Sequence, residues 1–142
     1  MKKINIKYFT DIEPIKKISK GDLIDLRSAE DIEIKAGDFK LIHLGIAMQL
    51  PSGYMAKIYP RSSTFKNFGI IQANSTGIID WSYRGSKDEW LYPVIALRDT
   101  IIHKNDRICQ FEICKTPRKF KFVEYADFNS ANRGGIGSTG NK

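Results

Sequence analysis

Apolar residues recur at every second position through much of the chain. In KLIHLGIAMQL (residues 40–50), Ile42, Leu44, Ile46, Met48 and Leu50 fall on one face, with His43, Gly45 and Gln49 on the other. A period of two predicts a half-buried strand. Pro51-Ser52-Gly53 then supplies turn residues and YMAKIY follows, so residues 40–59 read as a β-hairpin. The same alternation recurs in FGIIQAN, TGIIDWSY, EWLYPVIALRD, TIIHKNDRICQFEI and KFKFVEY. No long window carries a 3.6-residue apolar repeat, although a helix of a turn or two fits RSAED or STFKNFG. Many short strands separated by Gly, Pro, Asn and Asp turns predict an all-β sandwich, jelly roll or barrel. Beyond about Asp127 the alternation stops, and NSANRGGIGSTGNK is too polar and Gly-rich to enter a core. The expected organisation is one β-domain over residues 1–126 and a flexible arm over residues 127–142.

Composition narrows the class. At 142 residues the chain is long enough for one domain with its own core, and 42% hydrophobic with 27% charged residues is typical of a soluble globular protein. MKKINIKYF lacks the apolar stretch of a signal peptide, and the longest apolar runs are a few residues, so a cytoplasmic protein with no membrane partner is expected. A two-Cys, two-His zinc site would need Cys109, Cys114, His43 and His103 together, at spacings that match no zinc pattern. Reduced, largely buried thiols are expected instead. The formal charge of +7 favours polyanionic partners without choosing among nucleotide, nucleic acid and membrane. Its densest run, KTPRKFKF, reads as the charged face of an exposed strand, with Lys115, Arg118, Lys119 and Lys121 keeping it soluble.

Five segments concentrate groups that a β-scaffold does not need for folding. They are GDLIDLRS with Asp25; PRSS with Arg61, Ser62 and Ser63; NSTGIIDWSYRG with Asn74, Gly77, Ile79, Asp80 and Tyr83; DRICQF with Gln110; and the arm with Arg133 and GIGSTG. Singly, each polar residue is explained by solvation or pairing: Asp25 by Arg27, Arg61 by stacking or a salt bridge, and Gln110 by a backbone edge. Asp80 fits that reading least, since a carboxylate among Ile78, Ile79 and Trp81 is either exposed or held for a task. GIGSTG matches a dinucleotide fingerprint, but only Asn141 and Lys142 follow it, so the helix that would hold a pyrophosphate cannot form. An Arg fork beside glycine-exposed N–H groups remains a sound anion cradle.

Taken in order, PRSS, GIIDWSYRG, DRICQ and RGGIGSTG resemble the motifs of the trimeric dUTP diphosphatases (dUTPases), over about residues 21–140. The pattern is most similar to the compact Bacillus/phage-type branch. The resemblance implies a distorted jelly roll (β-clip), a homotrimer with sites at the subunit junctions, and Mg²⁺-dependent hydrolysis of dUTP to dUMP and pyrophosphate. It implies that Asp80 and Gln110 are catalytic: Asp80 orients and deprotonates the attacking water, and Gln110 holds water and phosphate. It assigns Asn74, Gly77, Ile79, Asp80 and Tyr83 to uracil and deoxyribose. Arg61, Ser62, Ser63, Gln110, Arg133, Gly137, Ser138 and Thr139 fall to the phosphates, and Asp25 to the waters of the metal. Where most family arms carry a Phe as lid over uracil, this chain has Ile136, so Trp90, Leu91 and Tyr92 join it as lid candidates.

Two other readings stand beside it. The dCTP deaminase branch of the same fold is expected to want a Glu where this chain has Asp80. A binding role, on nucleic acid or with a regulatory protein partner as for some phage members, fits the basic charge, but solvated lysines explain that charge without nucleic acid.

Overall fold

The computed structural model describes residues 2–142. Its strands are β1 (Asn5–Tyr8), β2 (Ile24–Arg27), β3 (Ile32–Ile34), β4 (Phe39–His43), β5 (Ile46–Gln49), β6 (Tyr54–Pro60), β7 (Ile70–Gln72), β8 (Gly77–Ile79), β9 (Leu91–Ala96), β10 (Thr100–Ile102) and β11 (Arg107–Lys115). One short helix, α1 (Thr64–Phe68), interrupts them. The strands form sheets ordered β2-β11-β6-β8, β4-β9-β7, β1-β5 and β10-β3, and every pairing is antiparallel. This is an all-β distorted jelly roll. No described helix is long and apolar enough to cross a membrane.

The alternation in residues 40–50 places side chains as expected: Ile42, Leu44, Ile46, Met48 and Leu50 are all buried. The hairpin is not formed. The chain bends at Gly45, which has φ +72°, so β4 pairs with β9 while β5 pairs with β1. The returning strand β6 pairs with β11 and β8. Alternation fixes which face is buried, but the partner is set by long-range packing.

Three more expectations are corrected or refined. STFKNFG holds α1, ended by Gly69 in the left-handed region, whereas RSAED forms the end of β2 and a turn closed by the Ser28 hydroxyl donating to the Glu30 carbonyl at 2.7 Å. KFKFVEY is not a strand. The last pairing ends at Lys115, and from Pro117 onward every residue is exposed, so packing stops before the alternation does. FGIIQAN and TGIIDWSY supply β7 and β8, but these lie in different sheets, and residues 73–76 turn a corner between them.

The core runs between the two larger sheets. Trp90 and Phe111 meet edge-on with ring centroids 5.3 Å apart, and Leu26, Ile58, Tyr92, Val94 and Ile108 close around them. Cys109 is buried and Cys114 half-buried, both as free thiols.

Gly45 is the position where local backbone decides the fold. A Cβ there would sit 2.8 Å from Ala29 Cβ and 3.2 Å from Ile12 Cδ1, on a backbone that L side chains rarely adopt. Gly45→Ala is therefore expected to lower stability by about 3 kcal/mol in urea unfolding. A loss below about 0.5 kcal/mol, the level of an ordinary surface substitution, would show that the bend is not constrained there.

Candidate active site

The first cluster forms where three strands and a loop meet. Across the sheet, Gln110 on β11 lies between Asp25 on β2 and Tyr59 on β6. Its amide Nε2 donates to the Pro60 carbonyl at 3.1 Å. After Pro60 the chain turns into α1, and buried Thr64 fixes that turn. Thr64 Oγ1 accepts from the Arg61 N–H at 2.8 Å and donates to the Ile108 carbonyl at 2.9 Å. Arg61 is thereby aimed back at the sheet, with Nε 3.1 Å from Asp25 Oδ1 and NH1 donating to the Arg107 carbonyl at 3.0 Å. Arg107 NH1 takes the other carboxylate oxygen, Asp25 Oδ2, at 3.2 Å. Two guanidiniums thus share one carboxylate, leaving the cluster cationic. Ser62 stands exposed at its mouth with Ser63 behind it, half-buried. Beneath lies Cys109, whose thiol is pushed up in pKa by burial and further by the Asp25 charge, with Arg61 opposing. It stays protonated and is no nucleophile.

The second cluster surrounds the β7–β8 corner. Gln72 donates from Nε2 to the Ile58 carbonyl at 2.9 Å, and Ser75 takes φ 57°, turning the chain so that exposed Asn74 stands beside buried Gly77. A groove of about 240 Å³ opens there, lined by Asn74, Ile79, Tyr83, Glu89 and Leu91 among others. Asp80 directly follows the groove-lining Ile79 at the end of β8 and is exposed. Its Oδ2 accepts the Ser82 N–H at 3.2 Å and the Ser82 hydroxyl, and that hydroxyl bond is the main cause holding the carboxylate below its ordinary pKa. The Tyr83 N–H donates to the Asp80 carbonyl at 3.0 Å, and the Tyr83 hydroxyl donates to the Glu89 carbonyl at 2.6 Å. Burial, then the charges of Asp88 and Glu89, raise the Tyr83 pKa and keep it a neutral donor.

The chain does not bring the two clusters together. Ile79 pairs with Ala56 and Gln110 with Tyr59, on opposite sides of β6. Three residues along and two strand spacings across separate them by about 10 Å in each direction. Nor does the arm close. Among the described residues, no hydrogen bond or ion pair ties residues 129–142 to the rest, and Arg133, Ile136, Gly137, Ser138 and Thr139 are all exposed.

Two lid candidates are corrected. Trp90 and Tyr92 are both 0% exposed, pointing into the core from β9 and the residue before it, so neither can cover a base in the groove. Leu91, on the opposite face, lines the groove, and Ile136 is fully exposed on the arm. Sequence reasoning passed over Arg107, Thr64, Ser82 and Glu89. Arg107 lies within DRICQF and Ser82 within the third segment, but their partners are fixed only by the fold.

A family model described as dUTPase matches residues 11–140. The chain belongs to the dUTPase family. The SPbeta prophage-derived deoxyuridine 5'-triphosphate nucleotidohydrolase YosS of Bacillus subtilis is 54% identical over 140 residues, 98% of this chain and 99% of that protein. Two phage dUTPase structures share the fold at lower identity. A point mutant of the dUTPase from phage phi11 of S. aureus, in which a structural Mg(II) ion is coordinated, matches with TM-score 0.76 and 17% identity over 89% of this chain and 100% of that one. The Staphylococcus bacteriophage 80alpha dUTPase with dUpNHpp matches with TM-score 0.73 and 21% identity over 99% of each. The five segments singled out in the sequence lie within the matched residues or at their edge, and they fold into these two clusters and the arm.

Because the Ser82 hydroxyl bond favours ionised Asp80, its stabilising effect is present above the ordinary carboxylate pKa and is lost as pH falls through the lowered one. Ser82→Ala should move the Asp80 titration, followed by carboxyl NMR, to higher pH. An unmoved titration would mean that the hydroxyl does not hold the carboxylate.

Proposed function

We propose that this chain is a cytoplasmic dUTP diphosphatase that hydrolyses dUTP to dUMP and pyrophosphate, keeping uracil out of DNA and supplying dUMP for dTTP synthesis. The observation that carries the reading is the cationic cluster of Asp25, Arg61 and Arg107 beside Gln110, in a chain whose separate groove is lined by Asn74, Ile79 and Tyr83, with an ionised Asp80 next in sequence after Ile79. One cluster suits a phosphate chain, the other a nucleoside and a water.

In this mechanism a water attacks the α-phosphorus in line with the bond to the bridging oxygen, which breaks as pyrophosphate leaves. Asp80 holds that water and accepts its proton. A carboxylate with a lowered pKa is a weak base, so its contribution is chiefly position. Gln110 steadies water and phosphate. Arg61, Ser62 and Ser63 bind the phosphate chain, and Arg133, Gly137, Ser138 and Thr139 fold over its far end, meeting the charge that grows on the leaving group. Asn74, with the backbone at Gly77 and Ile79, reads the Watson–Crick edge of uracil. A site built on such hydrogen bonds rejects a mismatched edge by roughly 10⁴-fold. Tyr83 packs under the deoxyribose, and Leu91 or Ile136 caps the base.

The residues present fit Mg²⁺ as an ion held from its outer sphere. Both oxygens of Asp25 are engaged by guanidiniums, and among the described residues no three His, Cys, Asp or Glu side chains gather into a metal cage. That suits an ion which keeps several waters and takes its other ligands from substrate phosphates. When bound, it would neutralise charge on the triphosphate, with Asp25 reaching its waters.

A homotrimer would unite the clusters across subunit junctions. Supporting this, Phe39, Ile95 and Ile71 form one exposed apolar row across β4, β9 and β7, flanked by Leu41 and Leu97. Phe120, Phe122, Tyr125 and Phe128 also lie exposed before the arm or at its start, which is costly for a monomer in water. A regulatory protein partner, if this phage-type member has one, would be additional to the hydrolase activity.

The test is pyrophosphate release with Mg²⁺ from dUTP, dCTP, dTTP and UTP in parallel. Wild type should act on dUTP alone, and Asp80→Asn should lose at least about 10²-fold in rate while keeping its fold. Near-wild-type release by Asp80→Asn would overturn the mechanism, and ammonia release from dCTP would overturn the substrate.

A further inference from the structure

Glu89 holds an arrangement that none of the five motif segments supplies. Its carboxylate Oε2 accepts the Gly45 N–H at 3.1 Å and lies 3.0 Å from His43 Nδ1, on the far side of the β4–β5 bend. The Glu89 side chain is only 19% exposed. One residue on, Trp90 is locked at the same bend: its N–H donates to the Ile46 carbonyl at 2.8 Å, its carbonyl accepts from the Leu44 N–H at 3.1 Å, and its ring is fully buried. Glu89 is therefore fixed from two sides. Its own carbonyl is the acceptor for the Tyr83 hydroxyl, at 2.6 Å. Between Tyr83 and Glu89 lies an exposed loop, closed on itself by the Gly85 N–H donating to Asp88 Oδ2 at 2.7 Å.

We propose that Glu89 is a positioning residue for sugar selection: its clamp on Gly45 and His43 fixes the carbonyl that anchors the Tyr83 hydroxyl, and so stiffens the ring wall of the nucleoside groove. The inference rests on the reading of Tyr83 as the surface under the deoxyribose. A tyrosine ring with a free hydroxyl end can swing aside and admit a 2′-hydroxyl. One tied at its far end by a short hydrogen bond to an immobile carbonyl cannot move without breaking that bond. Discrimination by shape depends on such stiffness, because a soft wall yields to one extra oxygen. Glu89 touches no reacting atom in this scheme, so its effect falls on which sugar is accepted rather than on the chemical step.

The experiment compares kcat and KM for dUTP and UTP in wild type, Tyr83→Phe, Glu89→Ala, Glu89→Gln and the Tyr83→Phe/Glu89→Ala double variant. Tyr83→Phe keeps the ring and removes only the anchoring donor. Both it and Glu89→Ala should lower the dUTP-over-UTP ratio of kcat/KM by about tenfold, the weight of one hydrogen bond, mainly through a lower KM for UTP and a higher KM for dUTP. The double variant should be no worse than either single one, since both act on one tether. Glu89→Gln keeps an acceptor for the Gly45 N–H and should restore most of the ratio. Thermal unfolding run alongside separates a structural role: a lowered Tm with an unchanged ratio in Glu89→Ala overturns the proposal, as does an additive double variant. The wild-type protein keeps the two readings apart. If it releases pyrophosphate from dUTP but not UTP and the variants keep that ratio, the tether is wrong and the hydrolase reading stands. If wild type does not hydrolyse dUTP, both fall.

Discussion

Asp25 sits between two guanidiniums, and the arrangement of the phosphate-facing end depends on that shared carboxylate. It joins β2 to β11 through Arg107 and to the β6–α1 loop through Arg61, three segments far apart in sequence. With Asp25 and Arg61 only about one-fifth exposed, removing the carboxylate would leave the poorly solvated Arg61 unpaired beside a second cation, the more exposed Arg107, which costs far more than the intact pair contributes. The excess of one positive charge is what a triphosphate would meet. Thr64, buried and bonded at both ends, keeps the Arg61 loop from relaxing around it.

The β6 strand imposes the second constraint. Gln110 and the end of β8 lie on its opposite sides and several residues apart, so no side-chain rotation brings Asp80 to the Asp25–Arg61 cluster. The exposed apolar row on β4, β9 and β7, the exposed phenylalanines after β11 and the undocked arm all concern surfaces that a second copy could cover. The proposed homotrimer would account for these features together. The +7 charge would then serve anionic substrates at the junctions of the proposed homotrimer, without any need for nucleic acid.

Much of this was legible in the residues themselves. Alternation in residues 40–50 named the buried face correctly, and the ordered motifs named the family. The hairpin failed because a left-handed Gly45 redirects the strand, and a period of two carries no information about partners. KFKFVEY alternates like a strand yet pairs with no strand among the described residues, for its apolar side has no core left to enter. The resemblance suggested Trp90 and Tyr92 as lids, but the alternation of the β9 segment puts them, with Val94 and Ala96, on its inward face and Leu91 on the outward one. Arg107, Ser82 and Glu89 escaped notice because their roles lie in bonds to atoms that only the folded chain brings near.

A shared site is tested most directly by complementation. Gln110→Ala and Asp80→Asn, each inactive alone, are unfolded together in equal amounts, refolded, and assayed for pyrophosphate release from dUTP. If Gln110 of one copy works with Asp80 of another, random assembly should restore about a quarter of wild-type activity. Mixed assemblies that form but remain as inactive as their parents would contradict a site built from more than one chain.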